Sequence, residues 1–277
     1  MPNFRDYTTR LTAMGGMRRV TSTMQLVASA NLQKAQKYLS ASLPFGVGIR
    51  ETMQMAYQKS NRNHPASPTN RLLLIVLCSD RGLCGSFNTT LAHEVRRWVN
   101  EQTRNGATVD ILLCGQKGVG LLQKDFTLLG KPYSFSAQPT LSEVEPLADY
   151  VLEHTLRGDY ATAWVMGYRY VNTIRHDVVT EKLFPYESTA KTENILIREP
   201  NDQRLDVAVW RLWLQYRLLE MQQQRAVSEH ASRVIAMKNA SETLREMEKD
   251  LNLKRNRARQ AAITNELTEI VAGAELQ

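Results

Sequence analysis

The strongest constraint on this chain lies near its C-terminal end. From Leu205 to about Leu276 no proline occurs, and apolar residues recur at helical spacing. Met237, Ala240, Leu244, Met247 and Leu251 step by 3, 4, 3 and 4; Ile263, Leu267, Ile270 and Ala274 step by 4, 3 and 4. At 1.5 Å per residue such a helix extends roughly 100 Å, several times the diameter of a small domain. Its seam needs a partner of comparable length.

The opposite end supplies one. Between Phe4 and Lys59 the only proline is Pro44, and two apolar stripes follow each other, Met17, Val20, Met24 and Val27, then Ala28, Leu32, Ala35 and Leu39. The two ends are expected to meet as an antiparallel coiled coil, with a bend allowed at Pro44. "SNRNHPASPTN", residues 60–70, reads as a loop.

The middle alternates in kind. Residues 72–78, 108–114, 161–171 and 176–184 read as strands, and 87–103 and 141–156 as helices, with a short helix between Gly115 and Lys124. Alternating strands and helices imply a mostly parallel sheet covered by helices. The expected fold class is α/β: a coiled coil of N- and C-terminal helices plus a small Rossmann-like α/β domain. The expected domains are 1–59, 71–200 and 205–277.

With 43% apolar and 23% charged residues in 277, the chain reads as soluble and globular. Its longest apolar run, Leu72 to Cys78, is far below the ~18 residues of a membrane span. "MPNFRDYTTRL" has the pattern of neither a secretory signal nor a transit peptide, so a bacterial cytosol or the cytoplasmic side of a membrane is expected. Cys78, Cys84 and Cys114 fit free thiols in a reducing compartment. Residues 1–60 carry eight Lys/Arg against two Asp/Glu, most of the chain's net +7, so the positive charge belongs to one element.

"CSDRGLCGSFN", residues 78–88, follows a buried-strand pattern and leads into a helix. It has the context of a phosphate cradle but neither a Walker pattern nor G-x-G-x-x-G, and "GQKGVG" at 115–120 lacks the lysine-Ser/Thr pair. Cys78 and Cys84 have five residues between them, wider than metal-ligand or C-x-x-C spacing, so small buried thiols are the favoured reading. The five histidines form no H-x-x-x-H pair, and no Gly-x-Ser-x-Gly elbow occurs. "KRNRARQ", residues 254–260, reads either as a solvated helix face or as an electropositive band docking on acidic protein; it has no aromatic residue for bases to stack on. No cofactor, metal site or catalytic constellation is expected. Two rival readings remain: an α/β-domain enzyme dimerised by its terminal helices, and a nucleic-acid binder using the basic N-terminal helix.

Three segments then coincide with one family. "SDRGLCGSFN", 79–88, resembles the Ser-Asp-Arg-Gly-Leu-Cys-Gly-Gly-Phe-Asn signature of the gamma subunit of F-type ATP synthases. "SEHASRVIAMKNA", 228–240, and "NRARQAAITNELTEIVAGAELQ", 256–277, resemble that family's C-terminal helix almost residue for residue. "RRVTSTMQLVASANLQKAQ", 18–36, is similar in register, with Ser22 and Gln25 where the family usually has lysines.

The resemblance implies a central-stalk rotor that couples ion translocation to ATP synthesis or hydrolysis and does no bond chemistry itself. It implies alpha and beta subunits of the catalytic hexamer, the epsilon subunit and the membrane c-ring as partners, and no nucleic acid. Membrane contact comes only through the complex, at the cytoplasmic side of the bacterial inner membrane. Residue by residue it implies a coupling interface of Met24, Gln25, Asp80, Arg81, Cys84, Arg233, Arg255, Arg257, Arg259, Gln260, Thr264 and Glu266. Arg259 and Gln260 resemble the pair that hydrogen-bonds a beta-subunit loop, and Thr264 and Glu266 hold positions that stabilise the helix junction. Gly82 and Gly85 are expected to give the Asp-Arg-Gly turn its backbone freedom.

Overall fold

The computed structural model describes residues 4–59, 69–186 and 203–275. Most of the expected 60–70 loop lies outside the described residues, as do residues 187–202 of the middle region. Helix α1 (Phe4–Lys59) and helix α5 (Gln203–Glu275) bracket an α/β segment. That segment runs β1 (Arg71–Leu77), α2 (Phe87–Arg104), β2 (Thr108–Cys114), a 3-10 turn (Gln116–Gly118), α3 (Val119–Leu122), α4 (Leu141–Leu156), β3 (Thr162–Tyr170) and β4 (His176–Phe184). Among the described residues no helix is long and apolar enough to cross a membrane.

The chain forms two compact units, Met1–Ala28 with Val234–Gln277, and Ser29–Arg233. Both long helices contribute to each. In the first unit Glu248 of α5 lies beside Gly15 of α1, and its carboxylate pairs with Arg18 at 3.1 Å. Lys254, further along α5, lies in the field of Tyr7, nearer the start of α1, so the helices run antiparallel. Their half-buried side chains include Leu11, Met14, Thr21 and Gln25 of α1 and Leu244, Glu248, Leu251 and Arg255 of α5.

This corrects the expected seam. Met17, Val20, Met24 and Val27 face solvent, 37–59% exposed, and Met247 is exposed as well. A helix turns about 100° per residue, so a contact row cannot jump from Val27 to Ala28 and remain one stripe. Counting back in steps of 3 and 4 from Leu32 and Ala28 gives Gln25 and Thr21, and these fill the contact row. From Ile263 to Val271 every side chain is exposed, so the second apolar stripe of α5 also lies outside the packed seam.

In the second unit the strand order is β2-β1-β3-β4. β1 pairs in parallel with β2 and β3, and β4 closes the edge antiparallel to β3. Side chains alternate across a strand, so β1 feeds two cores. Leu73, Ile75 and Leu77 pack with Leu147 and Val151 of α4, with Leu214, Leu218 and Met221 of α5, and with Ile49 and Met53 of α1. Leu74 and Val76 enter the other core with Leu91 and Val95 of α2. Helices thus cover both faces, as a mostly parallel sheet requires. The start of α4 is fixed by Glu143, whose carboxylate accepts the N–H of Thr140 at 3.0 Å. α1 remains helical through Pro44, which is exposed.

Candidate coupling interface

The Asp-Arg-Gly turn leaves the carboxyl end of β1 and is built by its own polar groups. Ser79 is fully buried; its N–H donates to Asn88 Oδ1 at 3.0 Å, Asn88 Nδ2 donates to Ser79 Oγ at 2.7 Å, and Ser79 Oγ donates to the Arg81 carbonyl at 2.7 Å. Each buried polar atom therefore finds a partner within the turn. The Asp80 carboxylate accepts backbone N–H groups of Gln116 at 3.1 Å and Phe135 at 3.2 Å, tying down the segments that follow β2. Arg81 and Leu83 stay exposed on the rim.

Backbone freedom is used differently from expectation. Gly85 adopts a φ of 61°, and the other positive φ belongs to Leu83, at 63°, not to Gly82. Gly82 instead presents its carbonyl to α5. Arg233 grips that oxygen with Nε at 3.3 Å and a terminal nitrogen at 3.2 Å. One turn earlier, Glu229 accepts Arg233 on Oε1 and Arg225 on Oε2, both at 2.7 Å. Arg225, buried, also reaches the Cys78 carbonyl at 3.3 Å.

These contacts place α5 across the carboxyl ends of two neighbouring strands. Arg225 holds the residue after β1, and Gln224 Oε1 accepts the N–H of Tyr170, the last residue of β3, at 2.9 Å. In open α/β sheets that crevice is where ligands bind. Here the chain's own helix fills it. Ser232 Oγ and His176 Nε2 lie 2.8 Å apart on the same side, and burial lowers the pKa of both His176 and His230.

The three thiols are buried. Cys78 and Cys84 belong to the α2 core and Cys114 to the opposite one, and desolvation pushes Cys78 up to about 12 and raises Cys84 and Cys114. Among the described residues no group of His, Cys, Asp and Glu is arranged to hold a metal ion.

The structure thus brings together Asp80, Arg81, Cys84 and Arg233 at one turn. Arg233 is spent on internal bonds rather than presented outward. In the other unit Met24 is exposed and Gln25 half-buried on α1, Arg255 is half-buried on α5, and Arg257, Arg259, Gln260, Thr264 and Glu266 are exposed on α5. Thr264 Oγ1 donates to the Gln260 carbonyl at 2.9 Å, an ordinary intrahelical bond that leaves both Gln260 amide atoms outward. Arg225, Glu229, Gln224 and Asn88 were missed from sequence. The Arg-Glu-Arg spacing of four residues was a usable signal for the first two.

The fold is that of ATP synthase central-stalk chains. It is similar to a chain of the cryo-EM central stalk and c-ring structure of Tetrahymena thermophila mitochondrial ATP synthase, with a TM-score of 0.62, 24% identity, and 80% of this chain and 99% of that one covered. It is also similar to a chain of the Euglena gracilis mitochondrial ATP synthase in an OSCP, F1 and c-ring structure, with a TM-score of 0.70, 18% identity, and 98% and 93% covered. In sequence, residues 3–276 match the ATP synthase family, and the ATP synthase gamma chain of Trichlorobacter lovleyi is 30% identical over 284 residues, covering 99% of each chain. The chain belongs to the ATP synthase gamma-chain family.

Proposed function

We propose that this gamma-family chain is the turning element of a bacterial F-type ATP synthase, driven by ion flow and acting on the three catalytic beta subunits. The observation that carries the reading is the exposed stretch of α5. From Ile263 to Val271 a helix of mixed polar and apolar side chains is exposed at every position, so three identical partners around it would each meet a different surface. Differential contact with partner conformations is what an allosteric driver needs.

The reading assigns helices 1–59 and 205–277 to the shaft and residues 71–200 to the domain that meets epsilon and the c-ring. Similar chains in structures named for the central stalk, F1 and c-ring support the c-ring as a partner. The chain carries no catalytic residue of its own, binds no nucleic acid, and reaches the cytoplasmic face of the inner membrane only through the complex. Its coupling contacts are Met24, Gln25, Asp80, Arg81, Arg255, Arg257, Arg259, Gln260, Thr264 and Glu266, with Arg233 and the buried Cys84 acting from inside the turn. The enzyme alternative loses its natural site, since α5 occupies the sheet's ligand crevice.

Mixing the purified chain with alpha and beta subunits tests the proposal. One copy should enter each particle of six partners, and rapid ATP turnover should depend on it. Failure to enter, or turnover indifferent to its presence, overturns the reading.

A further inference from the structure

Within the unit Ser29–Arg233, α5 carries three charged side chains at four-residue spacing, Arg225, Glu229 and Arg233, of which the first two stand outside the proposed coupling contacts. Arg225 and Glu229 have side chains only 3% and 8% exposed, so neither can be a docking residue for a neighbouring subunit. The partners are unusual for a helix: the two arginines hold main-chain oxygens outside it. Arg225 grips the Cys78 carbonyl at the end of β1, and Arg233 grips the Gly82 carbonyl in the turn beyond it. Glu229 joins the two, one carboxylate oxygen to each guanidinium at 2.7 Å. Asp80, between Cys78 and Gly82 in sequence, anchors the same turn to the N–H groups of Gln116 and Phe135.

We infer that Arg225, Glu229 and Arg233 form a torsion clamp that fixes the angle between α5 and the α/β domain, so that the two turn as one body. The inference rests on the proposed rotor function and deepens it. An apolar contact resists separation but is indifferent to small sliding, because it is not directional. A guanidinium fork on a backbone carbonyl is directional and is anchored to the strand itself. Glu229 is the critical member, because each of its oxygens is committed and rotation of the carboxylate would loosen both arginines at once. Gln222, Arg217, Glu220 and His230 lie on neighbouring positions of the same helix: Gln222 Oε1 accepts Arg225 Nε at 2.7 Å, and His230 Nδ1 lies 3.2 Å from Arg233. Arg217 and Glu220 pair one or two turns away at 2.5 Å and belong to a separate contact with β4.

The clamp acts by positioning, so its test is a ratio that a purely structural role leaves unchanged. Whole complexes carrying Glu229→Gln or Arg225→Lys are placed in inverted membrane vesicles, and ATP-driven ion uptake is measured alongside ATP hydrolysis. The expected result is a threefold or greater fall in uptake per ATP hydrolysed, with Arg225→Lys milder because it keeps the charge. The double variant Arg225→Met with Glu229→Leu replaces the buried pair by apolar bulk, an exchange that often preserves stability. It should show the same loss of ratio, and it serves where Glu229→Gln fails to assemble. An assembled variant with the wild-type ratio, or with both activities reduced in proportion, overturns the clamp while leaving the rotor reading intact. A wild-type chain that never enters the hexamer overturns the rotor reading instead.

Discussion

Gly46 of α1 sits directly against the phenol of Tyr216 on α5: a methyl group at position 46 would fall inside the van der Waals envelope of the hydroxyl and its ring carbons. The two helices meet here at a distance only glycine permits. Next to it, Ser42 Oγ donates to Gln223 Oε1 at 2.6 Å, and Phe45 makes an edge contact with Tyr216 at 6.0 Å between ring centres. Replacing Gly46 by Ala overpacks this crossing, at a cost of about 1–3 kcal/mol. The midpoint of thermal unfolding should fall by roughly 2–10 °C. Shortening the partner as well, in Gly46→Ala with Tyr216→Leu, should cost less than the two single changes added together. Additive losses would mean that the two residues do not meet.

The buried thiols give a chemical test of packing. Desolvation holds Cys78 at about 12 and raises Cys84 and Cys114, so the reactive thiolate is scarce in the folded chain. At pH 8 a thiol of that pKa is ionised to about one part in ten thousand. An aromatic disulfide reagent should therefore label the native protein slowly and reach three thiols only after denaturation. Rapid labelling of all three in the native state would contradict this burial.

Much of the architecture was legible because its signals are local. The strand expected at 72–78 is β1 at Arg71–Leu77, the one at 108–114 is β2 unchanged, and the helix at 141–156 is α4. Each is an apolar or amphipathic run bounded by turn residues, and nothing distant needs to be known. The seam of the long helices was harder to read. In the first unit its contact row runs through Thr21 and Gln25, polar residues that give no apolar period, whereas the exposed Met17, Val20 and Met24 one place away do. The same limit hid the interior of the Asp-Arg-Gly site. Arg225 and Glu229 carry no mark of burial in the sequence, and only tertiary structure shows that with Arg233 they bond the end of β1 and the turn beyond it.

Stability should decline on mild acidification. His176 is held below the ordinary imidazole range by burial, against the opposing pull of Asp177. His230 is lowered by burial first, with Arg233 and Arg225 adding to it and Glu229 opposing. A histidine lowered in the folded state binds a proton more readily when unfolded, so the unfolded chain gains protons first as the pH drops. The loss begins near the ordinary value of about 6.5 and continues down to the lowered native value. Thermal midpoints should fall between pH 7.5 and 5.5, and His176→Gln with His230→Gln should flatten that dependence. A wild-type profile no steeper than that of the double variant would remove the histidines as its cause.

The exposed end of α5 separates coupling from folding most cleanly. Arg259 and Gln260 are exposed on the helix, and the Gln260 carbonyl accepts Thr264 Oγ1 at 2.9 Å. Replacing both by Ala removes no internal contact and substitutes a good helix former, so the unfolding free energy should change by less than about 0.5 kcal/mol. In the assembled complex the same change removes a guanidinium and an amide from the surface proposed to meet the beta subunits. ATP-driven ion pumping should fall several-fold while the isolated chain keeps its thermal midpoint. Hydrogen bonds to a charged partner, once covered at an interface, are worth roughly 1.5–3 kcal/mol, enough to shift the balance between two partner conformations by tenfold or more. Pumping at the wild-type rate in the assembled Arg259→Ala, Gln260→Ala variant would remove this face of α5 from the coupling path.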